Sequence, residues 1–83
     1  MLKLPQEYDE AVLGIGCKIG EMDSVAYSAE RCIKVLQEFH GMEENDAIDF
    51  FHYNILGSYV GPRTPFFIWE TIDITELEEE DGN

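Results

Sequence analysis

Basic residues are scarce in this sequence. Three lysines and two arginines face eighteen acids, for a net charge of −13 over 83 residues. Lys3, Lys18, Arg31, Lys34 and Arg63 are scattered rather than gathered into a stripe, so no footprint for a phosphate backbone exists. The charge argues against nucleic acid and anionic membranes as partners and favours a basic protein surface. Long apolar runs are also missing, and none approaches the roughly 20 residues of a membrane span. The opening "MLKLPQEYDE" has no apolar core and turns acidic at once, which argues against secretion. Cysteine is limited to Cys17 and Cys32, too few for a disulfide framework and not in C-x-x-C order. Both are read as reduced core thiols in a cytoplasmic chain.

Apolar and aromatic residues are nevertheless abundant, at 45% and 12%. That composition specifies a folded globule rather than a disordered chain. The length allows one domain with a small core, expected over residues 1–77, followed by an acidic tail at 78–83 with little to bury. Six acids lie between Thr71 and Asn83, and the remaining chain is still −7.

Patterning supplies the elements. Pro5 argues against an early helix, so residues 1–10 read as a lead-in. In "AVLGIGCKIG", Ala11, Leu13, Ile15 and Cys17 alternate with Val12, Gly14 and Gly16, the period of a strand. Glycines on one face let a large ring or another backbone approach closely. The run lacks the order of a phosphate-binding P-loop. "GEMD" at 20–23 is a turn, and "SVAYS" at 24–28 a second strand, completing a hairpin. Ser28 is a good N-cap for a helix whose apolar face is Ala29, Cys32, Ile33, Leu36 and Phe39 or His40. Gly41 ends it and "EEND" starts another, with Ala47, Ile48, Phe51, Ile55 and Tyr59 on its apolar face. "FFIWETIDI" reads as a third strand. The expected architecture is α+β: ββααβ, a three-stranded sheet packed on a two-helix hairpin, with the first and most apolar strand favoured at the centre.

Candidate chemistry is sparse. His52 and Asp49 stand three apart, but a zinc site needs a third and fourth ligand that spacing does not supply. Ser24, Ser28 and Ser58 lack a nucleophile-elbow context. No cofactor, no metal and no enzymatic activity are expected. Asn54 falls towards the apolar face of the second helix, as a structural amide or a ligand contact. Asp46, Asp49, Glu70, Asp73 and Glu76 are the acids expected to meet a basic partner. Two helices cover one face of so small a sheet, so Phe67 and Trp69 are expected to form a homodimer face unless the N-terminal segment or the tail covers them.

"YDEAVLGIG" at Tyr8–Gly16, "DAIDFFHYNILGSYVG" at Asp46–Gly61 and "TPFFI" at Thr64–Ile68 resemble a family of small uncharacterised proteins of bacteriophages and related mobile elements. The likeness spans most of the chain from Tyr8 to Ile68 and implies a phage accessory role without a transferable activity. Glu43 stands where a stronger capping Ser or Thr would be expected. Three readings follow: an acidic accessory protein that binds a basic host protein, with a DNA-mimic inhibitor of a nuclease or defence complex as its sharpest form; a self-associating structural protein; and a small-molecule binder using Asn54, Tyr53 and the glycine-rich first strand.

Overall fold

The computed structural model describes residues 2–58 and 64–70. They form a mixed three-stranded sheet with helices packed on one face, an α+β arrangement. The strands are β1 (Val12–Gly16), β2 (Ser24–Ser28) and β3 (Phe66–Ile68), in the order β1-β2-β3. β2 lies at the centre rather than β1. It is antiparallel to β1 across the hairpin and parallel to β3, which returns after both helices. Apolar content favoured β1, but all five residues of "SVAYS" are buried, because small Ser and Ala side chains are readily covered between two neighbouring strands.

Register assigns the faces. Val12, Tyr27 and Phe67 are paired across the sheet and look towards the helices. Gly14, Ala26 and Phe66 are paired on the outer face. A bulge between Val12 and Gly14 breaks the strict alternation, so Val12 and Gly14 do not share a face as period two alone would have it. On the outer face the Phe66 ring lies across Gly16; a Cβ there would sit 2.5 Å from the ring. That is the close approach a glycine-rich face allows.

The helical layer has three parts. Residues Gln6–Ala11 form a 3-10 helix rather than a plain lead-in, with Pro5 immediately before its first turn, where a missing N–H costs nothing. It carries Tyr8 and Ala11 into the core, joined by Leu4 from just before it, whose N–H donates to the buried Tyr27 hydroxyl at 2.9 Å. Helix α1 (Ala29–Glu38) is capped as expected: Ser28 Oγ accepts from Arg31 N at 3.2 Å. Ala29, Cys32, Ile33, Val35 and Leu36 are buried, whereas Phe39, where the helix ends, is 67% exposed. Gly41, at φ +70°, reverses the chain, and Met42 packs against the core.

Helix α2 (Glu44–Phe50) starts at Glu43 without a side-chain cap and runs into a π-helical extension (Phe51–Leu56). Ala47, Phe51 and Ile55 are buried as the pattern required, and Tyr59 falls outside the described residues. Looser winding in the extension keeps Phe51 and Ile55 inward and turns Asn54 out to an exposed position. β3 is shorter than its apolar run, and residues 71–83, which include the rest of that run and the tail, lie outside the described residues. The two thiols also part company. Cys32 is a core residue, but Cys17 is exposed, because β1 ends at Gly16 and the chain turns away. Among the described residues no helix is long and apolar enough to cross a membrane.

Candidate functional site

The helical layer leaves a cleft of about 250 Å3 between the N-terminal 3-10 helix, the end of α1 and α2 with its extension. Leu4, Tyr8, Leu36, Met42 and Ile55 form its apolar depth, and Phe50 and Asn54 also line it. At its edge His40 Nε2 donates to Glu7 Oε2 at 3.0 Å, both side chains being partly shielded from solvent. Two more open hollows, of about 560 and 190 Å3, adjoin it through Glu7. They run between the 3-10 helix and α1, lined by Asp9, Glu10 and Glu38 around the exposed Phe39 ring. Phe39 also stands edge-on to His40, with centroids 5.1 Å apart. The result is a groove with apolar patches and acidic walls.

Local sequence explains the site. The 3-10 helix places Glu7 and Glu10 three apart, and with three residues per turn they share a side. Phe39 follows α1 directly, so its ring lies at the margin of the core instead of in it. The Glu7–His40 contact joins two segments 33 residues apart. A histidine held by a carboxylate is half of an acid–base pair. Among the described residues the cleft lining has no Ser, Thr, Cys or Lys for it to activate. Among the described residues no three His, Cys, Asp or Glu side chains converge to hold a metal ion.

The sequence-derived candidates are not gathered here. Asp46 and Asp49 are exposed on α2 and, with Glu43, form one row at three-residue spacing. The other acids grouped among the described residues are those around Phe39, namely Glu7, Asp9, Glu10 and Glu38, which line hollows instead of a second row on α2. Glu70 is taken up structurally. Ser28 Oγ donates to its Oε1, Arg31 reaches both its carboxylate oxygens at 3.3 and 3.4 Å, and its own N–H donates to Glu30 Oε1 at 2.9 Å. A carboxylate so engaged holds β3 to the start of α1 and is poorly placed to meet a partner. Asp73 and Glu76 lie outside the described residues.

Phe67 is a core-facing ring, stacked on Tyr27 at 6.0 Å and edge-on to Phe51 at 5.3 Å. Trp69 leans on the same helical side, against Phe51 and stacked on His52. The outward apolar side chains of β3 are instead Phe66 and Ile68, 45% and 43% exposed. Asn54 reaches the cleft but is not buried, and Tyr53 is not part of the cleft lining. Glu7, Glu10, Glu38, Phe39 and His40 were missed as site residues. The one signal in the sequence is the acidic "QEYDE", which a reading of residues 1–10 as a lead-in does not place on a helix.

Cys32 is inert at neutral pH, since burial pushes its thiol up to about 12. Cys17 is also raised, chiefly by its hydrogen bond to Asp23 and then by that carboxylate's charge. Neither thiol has the electropositive surroundings of a nucleophile.

No family model matches the chain, and no curated protein and no solved structure matches it either.

Proposed function

We propose that this chain is a non-enzymatic binding protein of the small phage-accessory type it resembles, and that it engages a basic protein surface. The observation that carries the reading is the groove: apolar hollows bounded by Glu7, Asp9, Glu10 and Glu38 on a chain of net charge −13. Such a field accelerates encounter with cationic surfaces and repels nucleic acid. The single acid row on α2 supports general recognition of basic surfaces. Mimicry of a duplex, with two phosphate-like rows, has less support. Immobilised protein exposed to bacterial lysate should retain proteins of high isoelectric point and release them as salt rises from about 50 to about 500 mM, where the Debye length falls below ~5 Å. Retention indifferent to salt, or of acidic proteins, would count against it.

Self-association is a second reading, favoured by the outer sheet face. Phe66 and Ile68 are half-exposed there beside Gly14 and Ala26, four uncharged residues. A two-fold contact through it would keep the acidic helical layers of two copies apart. Of the expected pair, Phe67 is covered by the helices, whereas Trp69 is 45% exposed, as much as Phe66. Sedimentation at high protein concentration and moderate salt should show a dimer that weakens at low salt; monomer throughout removes this reading.

A further inference from the structure

We infer that the groove beside the N-terminal 3-10 helix docks a basic amphipathic segment of a partner protein, with one large apolar side chain entering the Phe50 cleft and a second lying on Phe39. This rests on the reading of the chain as a binder of basic surfaces and assigns that binding to one place. The occupant follows from two features of the groove. Its depth is apolar, closed by Leu36, Met42, Phe50 and Ile55, so a purely polar cationic segment would leave it unfilled. Its walls are acidic, with Glu7, Asp9, Glu10 and Glu38 facing the hollows around Phe39. Three bases moderate that charge: Lys3 pairs with Asp9 at 3.6 Å, and Lys34 and Arg31 lie at the far end beside Glu10 and Glu38, Arg31 being held by Glu70. His40 holds Glu7 at 3.0 Å, so among the described residues the wall carboxylates outside an ion pair are Glu10 and Glu38, around the Phe39 ring.

Other occupants fit less well. A second copy would bring acidic walls together. A free small molecule would meet an apolar cleft of about 250 Å3 running into an acidic hollow of about 560 Å3, an open trough that does not enclose a ligand as small-molecule sites do. A segment with apolar and cationic residues on adjoining faces matches both depth and walls, as amphipathic helices do in apolar grooves. Phe39 and Phe50 are the rings such a segment would bury, and large anchors of this kind carry most of the energy of an interface.

The test uses the full chain and two synthetic peptides of about 18 residues, some five helical turns. One carries leucines at i, i+3, i+4 and i+7 among lysines; the other has the same lysines with serine in place of every leucine. Calorimetry at about 100 mM salt should give the leucine peptide about a tenfold advantage. Amide shifts should centre on Glu7, Phe39, His40 and Phe50. Phe39→Ser, an exposed change that spares the core, should remove most of that advantage. Asp46→Asn with Asp49→Asn should leave it intact. Equal affinity for the two peptides, or an advantage untouched by Phe39→Ser, overturns the groove. Binding lost on the α2 changes instead would keep the basic-partner reading and overturn its location. If neither peptide binds, the broader reading falls as well.

Discussion

Phe67 and its two chain neighbours, Phe66 and Ile68, are alike in apolarity and lie on opposite faces of one strand. Phe67 sits between Tyr27 and Phe51 under the helical layer; Phe66 and Ile68 stay half in water. The covered face holds the interlocking aromatic rings and the cross-connections to α1, α2 and the 3-10 helix. The open face is smoothed by Gly14, Gly16 and Ala26 and is crossed by a single ring. Stability should therefore be concentrated on one side of the sheet, with the other tolerant of change.

Thiol chemistry gives the largest contrast between inside and outside. Cys32 is buried and Cys17 exposed, so a disulfide reagent at mildly alkaline pH should label one thiol at once and the other only on unfolding. With net stability on the order of 5 kcal/mol, the ratio should be ~1,000-fold or more. Asp23→Asn should speed Cys17, because the carboxylate that disfavours its thiolate is gone. The same burial has a pH consequence. The Cys32 thiol stays protonated in the fold up to about 12, whereas its ordinary value is 9.0. Unfolding releases that proton once pH exceeds 9, so this stabilising contribution is whole below 9 and lost as pH climbs towards 12. Two thiols reacting at equal speed would place Cys32 outside the core.

On the covered face, Phe51→Ala should cost about 3–5 kcal/mol, enough to threaten folding in so small a domain. An unchanged denaturant midpoint would show that the ring is not central. A smaller loss is expected for Tyr27→Phe, which removes the acceptor of the Leu4 N–H and should cost about 1–3 kcal/mol. Amide exchange at Leu4 should accelerate at the same time; no change in either would show that the N-terminal segment is held by other contacts. On the open face, Ile68→Glu should shift stability by no more than about 0.5 kcal/mol. A loss matching that of Phe51→Ala would mean that the two faces are equally buried and that the contrast is wrong.

Much of the secondary structure was legible because it rests on local chemistry. Ser28 as a cap, Gly41 as a stop and "SVAYS" as a strand depend on neighbours within a few residues. The acidic site was harder to read. Asp46 and Asp49 stand out in sequence because α2 is visibly acidic, whereas Glu7 gains its role from His40, 33 residues away. Glu70 looked like one acid among many, until its position beside Ser28 and Arg31 made it a structural tie. Asn54 was displaced by the π-helical winding, which a fixed helical period does not anticipate.

By itself the sequence determined the α+β class, the hairpin, the two helices and the strong negative field, since these follow from periodicity, capping residues and composition. Tertiary structure alone decided that β2 is central, that Phe67 turns inward while Phe66 and Ile68 turn out, and that Glu7 and Phe39 share a groove. Those outcomes depend on which faces meet after the chain returns from α2 to β3. Alternation along a strand states that neighbours point apart, but only the helical layer chooses which of them it covers.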